Sequence, residues 1–123
     1  MTDSPNTRYH APHLQNLSTN LSVTGQLEPA DMAWAAAQGF KSVINNRPDF
    51  EAGDDQPTNA AMAAAAEAVG LSFAFLPVDP GFQTAGEIAE FAALLTTLPG
   101  PVLAYCRSGT RSGKLYRAGT SGV

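Results

Sequence analysis

The sequence predicts an α/β fold, with a mostly parallel sheet of four to five strands flanked by helices. Three observations carry this. Short apolar runs alternate with Ala-rich or 3.6-periodic stretches four times along the chain. Gly39, Gly70 and the pair Pro99-Gly100 punctuate the junctions between them. Finally, Arg47, Asp79 and Cys106 each follow directly on a predicted strand. Right-handed crossovers bring strand C-terminal ends to one edge of an open α/β sheet, where ligands bind.

Taken in order, Met1 to Gln15 is polar, aperiodic and holds Pro5 and Pro12, so it reads as a flexible lead-in before a single domain over 16–123. His10 and His13 lie in it without an acidic or cysteine neighbour, which argues against a metal site. Leu17 to Leu27 alternates loosely and reads as one strand or a short hairpin. Pro29 to Gln38 is Ala-rich, starts with a proline that a first helical turn tolerates, and ends at Gly39. Phe40 to Asn45 is the second strand. Asn46 to Pro57 is full of turn residues and charge and reads as a solvated connector, apart from Arg47 at its start. Thr58 to Val69 is a helix stopped by Gly70, and Leu71 to Val78 is the third strand. Asp79 to Gln83 is a turn. Thr84 and Glu87 have the spacing of a capping box for a helix over Ala85 to Leu98, whose apolar residues Ile88, Phe91, Leu94, Leu95 and Leu98 keep a helical period.

The last strand leads into the densest chemistry in the chain, Tyr105-Cys106-Arg107-Ser108-Gly109-Thr110-Arg111-Ser112. Ser112 is a natural cap for a following helix. A strand, a tight loop and a helix N-terminus form an anion cradle, because amide N–H groups and the helix dipole converge. A thiol placed there should be shifted toward the thiolate, the nucleophilic form. A lone cysteine after a buried strand is most often a small core residue. That reading leaves Arg107 and Arg111 without a purpose, whereas an anion-handling thiolate gains a counter-charge from each.

Composition narrows the classes. The chain has 123 residues, enough for one core, and a formal net charge of -4 with only 7 basic residues. That balance offers no stripe for nucleic acid and no attraction to an anionic membrane. A single cysteine excludes an internal disulfide and fits a reducing compartment. There is no apolar run long enough to span a bilayer and no secretory h-region near Met1, so the cytoplasm is the expected location.

Three blocks resemble a known family: Val43-Ile44-Asn45-Asn46-Arg47-Pro48-Asp49, Leu76-Pro77-Val78, and Tyr105 through Ser112. They are similar to the beta-lactamase-hydrolase-like, phosphatase-like domains, a bacterial family with a cysteine-phosphatase-like fold whose active loop in some members looks like that of rhodanese sulfurtransferases. The resemblance covers roughly residues 15 to 117. It implies catalytic roles for Cys106, Arg111 and Asp79, and anion binding by Arg107, Ser108, Gly109, Thr110, Ser112 and Arg47. Cysteine phosphatases share Cys, five residues, then Arg, usually with His before the Cys. Here Arg111 comes one position early, Ser112 stands where that arginine would be, and Tyr105 replaces the His.

A shorter ring favours a terminal sulfur over a phosphoryl group, so the resemblance implies sulfur transfer first. Cys106 would take the outer sulfur of a small anionic donor, thiosulfate or a low-molecular-weight persulfide. The persulfide would then pass to a thiol acceptor, without metal or cofactor. The alternative is hydrolysis of a phosphate ester through a Cys106 phosphoenzyme, with Asp79 as general acid and Asp49 as a weaker rival. A third reading is a noncatalytic anion-binding or partner-docking module. After the loop, Lys114 to Arg117 gives way to Gly119 and Gly122, which predicts a helix of two turns and a frayed tail from Ala118. So short a helix implies that a homodimer contact completes the core, or that the site is looser than in relatives.

Overall fold

The apolar runs fold as strands that are covered on both faces, and this decides the architecture. The computed structural model describes residues 9–121. Its elements are β1 (Gln15–Asn16), β2 (Leu21–Thr24), α1 (Asp31–Ala37), β3 (Ser42–Asn45), α2 (Asn59–Ala68), β4 (Ser72–Phe75), α3 (Ala85–Thr97), β5 (Val102–Tyr105) and α4 (Thr110–Ser121). The five strands form one sheet in the order β1-β2-β5-β3-β4. β2, β5, β3 and β4 are mutually parallel, and β1 pairs antiparallel with β2. The stretch Leu17 to Leu27, expected as one strand or a short hairpin, holds one strand, β2; the partner arm β1 lies just before it, where the lead-in was expected to end, with Gln15 opposite Val23.

The pleat sends successive side chains to opposite faces. On one face Val43, Leu103 and Tyr105 pack under α1 and α2 with Met32, Ala35, Met62 and Ala66. On the other, Leu21, Val23, Ile44, Val102 and Ala104 meet Phe91 of α3 and Leu115 of α4. Every residue of β2, β3 and β5 is buried, whereas β4, at the edge, is only partly so. Thr24, Tyr105, Asn45 and Phe75 stand side by side at the strand ends. The loops that follow them open on one edge, as the sequence predicts.

Helix starts follow their caps. Thr84 Oγ1 accepts from Glu87 N (3.0 Å) while Thr84 N donates to Glu87 Oε1 (2.9 Å), the reciprocal box read from the sequence. Thr58 Oγ1 accepts from Ala61 N (3.2 Å) at the head of α2. Two expectations are corrected at α4. It begins at Thr110, so Ser112 lies inside its first turn and is not the cap. It also runs through Ala118 and Gly119 to Ser121, three turns instead of two. The reason is packing against α3: a methyl placed on Gly119 would touch Ala92 Cβ and Ile88 Cγ2 at 3.7 Å. The close approach of the two helices lets Leu115 and Tyr116 pack with Phe91, Ile88 and Leu95, and that burial outweighs the weak helix propensity of glycine.

Of the lead-in, residues 1–8 lie outside the described residues, as do 122–123 of the tail. From Tyr9 on, the chain is tied to the domain. The Tyr9 hydroxyl donates to the Asp31 carboxylate, the His13 carbonyl accepts from Thr24 Oγ1 (2.8 Å), and Leu14 packs on the core. Among the described residues no helix is long and apolar enough to cross a membrane. Nor does any group of three or more His, Cys, Asp or Glu have metal-binding geometry there, and both His10 and His13 are exposed.

Candidate active site

Cys106 is the first residue after β5, and it is buried and lines a cavity of about 180 Å³. The walls come from Arg107, Ser108, Thr110 and Arg111 of the loop, and from Pro80 and Lys114 outside it. The backbone N–H of Gly109 donates to Sγ at 3.1 Å. This hydrogen bond needs a left-handed turn. Gly109 has φ 91°, and a Cβ there would lie 3.3 Å from the carbonyl carbon of Thr24. Glycine is required on both counts. At Gly25, the residue after β2, a Cβ would lie 3.0 Å from the Arg107 carbonyl oxygen, so the chain leaving β2 runs directly against the loop. α4 then starts behind the cradle, with Gly113 N donating to Gly109 O (3.0 Å).

Arg111 is 7 % exposed and reaches inward beneath the loop. Its two terminal nitrogens donate to the two carboxylate oxygens of Glu51, each at 2.9 Å, and Nη1 also donates to the Val78 carbonyl (3.0 Å). Glu51 Oε2 accepts from Arg47 Nε as well (2.9 Å), and Arg47 Nη1 donates to Gln26 Oε1 (3.0 Å). One carboxylate thus holds two buried guanidinium groups, an arrangement suited to fixing their planes. The Arg111 hydrogen bonds, reinforced by Arg47, keep the Glu51 carboxyl below its ordinary value of 4.5 against the opposing effect of burial. Arg47 does not line the cavity at Cys106. Where the resemblance implied anion binding, the structure makes it a brace for Glu51, because its side chain turns back toward Gln26.

Ser112 is also placed differently from the expectation. Its Oγ is buried and donates to Asn46 Oδ1 (2.8 Å), so it anchors the first turn of α4 instead of facing the cavity. Asn46 is fully buried. Its Nδ2 donates to Leu76 O (3.0 Å), and its carbonyl accepts from Val78 N (3.1 Å). The ends of β3, β4 and α4 are stitched together at this one side chain.

Both candidate acids occupy turns. Asp79 is exposed beside the cavity wall at Pro80, and its Oδ1 accepts from Gly81 N (2.7 Å), an Asx-turn. Asp49 Oδ1 accepts from Asn59 N (2.7 Å) at the head of α2, away from the cavity lining. Tyr105, where many cysteine phosphatases have His, sends its ring to the opposite face of the sheet. Its hydroxyl is buried without a hydrogen-bond partner among the described residues, and burial foremost pushes its pKa well above 10.

No local pattern assigns a role to Glu51, Asn46 or Gln26. The loop over 46–57, expected as a solvated connector, folds on itself. Buried Gln56 accepts from Ala52 N (3.0 Å) and donates to Pro48 O (2.8 Å). Phe50 takes a left-handed φ of 61° just before Glu51. The spacing Arg47-x-x-x-Glu51 was the available signal, but its partner Arg111 lies 60 residues away.

A parallel sheet with a cysteine-headed loop running into a helix defines the cysteine-phosphatase-like fold. The chain belongs, more narrowly, to the phosphatase-like domains of beta-lactamase hydrolase-like proteins: that family's model matches residues 13–123. A beta-lactamase hydrolase-like protein of Agrobacterium fabrum (strain C58 / ATCC 33970) is 40 % identical over 103 residues, which is 84 % of this chain and 24 % of that protein. This chain therefore spans about a quarter of the length of the curated relatives it matches. Among solved structures, a candidate phosphatase from Neisseria meningitidis Z2491 superposes with a TM-score of 0.79 at 34 % identity, covering 88 % of this chain and 78 % of the other. The core catalytic domain of a PP-IP phosphatase from S. cerevisiae shares the fold at a TM-score of 0.67 and 12 % identity, over 88 % of this chain and 65 % of its own.

Proposed function

We propose that the domain hydrolyses phosphate monoesters through a Cys106 phosphoenzyme. The observation that carries this reading is the likeness, at 34 % identity and over most of both chains, to a candidate phosphatase. It ranks phosphate hydrolysis above the sulfur transfer that loop length favoured. The cavity supports it with three cationic side chains, Arg107, Arg111 and Lys114, and two hydroxyls, Ser108 and Thr110. In the first step the Cys106 thiolate attacks phosphorus, an S–P bond forms, the P–O bond to the leaving group breaks, and a proton from the Asp79 carboxyl goes to the departing oxygen. In the second, water attacks phosphorus, gives its proton to Asp79, and the S–P bond breaks to regenerate the thiolate. Loop amides and the cations stabilise charge on the equatorial oxygens.

The six-residue span from Cys106 to Arg111 keeps sulfur transfer as the second reading. There the thiolate attacks the outer sulfur of thiosulfate or a low-molecular-weight persulfide, the donor leaves as an anion, and a thiol acceptor removes the sulfur. Two assays on wild type and Cys106→Ser separate the two readings. Cys106-dependent release of 4-nitrophenol from its phosphate ester is expected under phosphate hydrolysis. A mass gain of one sulfur after thiosulfate, discharged by cyanide, with no ester cleavage, would reverse the order. Neither signal would leave a noncatalytic anion-binding module. We place the protein in the cytoplasm on its single cysteine, and make no homodimer part of the site, since α4 packs on α3 within one chain.

A further inference from the structure

One residue outside the cysteine loop, Gln26, reaches both of its ends. Its backbone N–H donates to the Arg107 carbonyl (3.3 Å), just beyond the bond from Cys106 N to Thr24 O (3.4 Å), so the chain after β2 runs along the front of the loop. Its side chain serves the back. Gln26 Nε2 donates to Leu27 O (2.7 Å), which leaves Oε1 to accept from Arg47 Nη1 (3.0 Å). Arg47 Nε donates to Glu51 Oε2 (2.9 Å), and the two Glu51 oxygens accept from Arg111, each at 2.9 Å. Three side chains from two other loops thus connect Arg107, where the cysteine loop leaves Cys106, with Arg111, where it enters α4.

The donors of Arg111 show what this line controls. A guanidinium carries its N–H donors in one rigid plane. Arg111 gives Nη1 to Glu51 and to the Val78 carbonyl, and one hydrogen of Nη2 to Glu51. The Nε hydrogen and the second Nη2 hydrogen have no acceptor among the described residues, and they lie along one edge of the plane. Two parallel donors on one edge match two oxygens of an oxyanion. Because the plane is rigid, the direction of that edge is set by whatever grips the other, which is Glu51. Glu51 is aimed by Arg47, which is 5 % exposed, and Arg47 is aimed by the neutral Gln26 Oε1.

We propose that Gln26 and Arg47 are positioning residues for the reaction at Cys106, and that through Glu51 they set the plane of the Arg111 guanidinium against the transferring group. The inference rests on the phosphate-hydrolysis reading and goes beyond it, since neither residue lines the cavity. In the ground state Arg107, Lys114 and Arg111 meet the phosphate charge whatever the tilt of the plane. Alignment counts as the three non-bridging oxygens flatten in the transition state, so the relay acts on kcat more than on KM.

Steady-state hydrolysis of 4-nitrophenyl phosphate tests this on wild type, Gln26→Met, Arg47→Lys and the double variant, each assayed below its melting transition. Methionine keeps the length of Gln26 and removes the acceptor; lysine keeps the charge beside Glu51 and removes the fork that reaches Gln26. Gln26→Met should lower kcat by about three- to tenfold, the range of one hydrogen bond, with KM within about twofold of wild type. Arg47→Lys should lower kcat at least as much, and adding Gln26→Met to it should change kcat by less than about twofold, because the line is already cut. A residue that only supported the fold would shift the melting temperature and leave kcat of the folded protein unchanged. If Gln26→Met does not fold, Arg47→Lys alone carries the test through the same split between kcat and KM. Unchanged kcat in the folded single variants, or losses that multiply in the double variant, would show that no relay exists while phosphate hydrolysis stands. If wild type shows no Cys106-dependent cleavage, the phosphate reading itself falls and the relay with it.

Discussion

Glu51→Gln is the substitution whose outcome says most about how this site is built. The change keeps shape and one acceptor oxygen but removes the charge that faces Arg111 and Arg47. Those arginine side chains are each 6 % exposed and Glu51 itself is 18 % exposed. Removing one partner of a fully buried ion pair costs roughly 3–5 kcal/mol, because the other charge is left without compensation. Two cations are stranded here, but Glu51 keeps some contact with water, and a glutamine oxygen in the place of Oε2 still accepts two of the three hydrogen bonds. A loss of about 2–3 kcal/mol follows, which at an m-value of about 2–3 kcal/mol/M moves the urea midpoint down by about 1 M.

The pH dependence gives an independent reading of the same group. Hydrogen bonds from Arg111 hold the Glu51 carboxyl below 4.5, so the folded state favours the charged form. Its contribution is fully present above that ordinary value and is lost as the pH falls below it, through the lowered folded pKa. Wild type should lose stability in that acid window relative to Glu51→Gln, which has nothing to titrate there. Activity at neutral pH should fall as well, since Arg111 is no longer held in plane. A Glu51→Gln protein within about 0.5 kcal/mol of wild type, with the same acid profile, refutes the argument that this carboxylate organises the arginines.

Three further outcomes follow from the geometry. Gly109→Ala forces a side chain into a left-handed turn against the Thr24 backbone, and should cost about 1–3 kcal/mol and abolish turnover by moving the amide away from Cys106; unchanged activity would break the link between that amide and the sulfur. Ser112→Ala leaves Asn46 Oδ1 without its 2.8 Å donor in a buried setting and should lower stability by about 1–2 kcal/mol in urea melts. Tyr105→Phe removes a buried hydroxyl that has no partner among the described residues, so it should be neutral or stabilising by up to about 1 kcal/mol, whereas a loss of more than that shows that the hydroxyl has a partner.

The order of strands and helices, the capping box at Thr84 and the cysteine loop are all written in local signals. Period, caps and punctuation act between residues a few positions apart, and one chain displays them fully. The same holds for the convergence of Arg47, Asp79 and Cys106 on one sheet edge, which follows from a parallel sheet with right-handed crossovers. Tertiary structure alone decided what those residues do once there. Arg47 stands at the right edge but spends its guanidinium on Glu51 and Gln26, and Ser112 turns inward to Asn46. Glu51 looked like one more acid in a solvated loop, because its partner is 60 residues away and no local pattern reports a contact at that separation. The length of α4 is likewise set by a contact distant in sequence. Gly119 weakens a helix considered alone, and only the face of α3 lying against it makes the third turn stable.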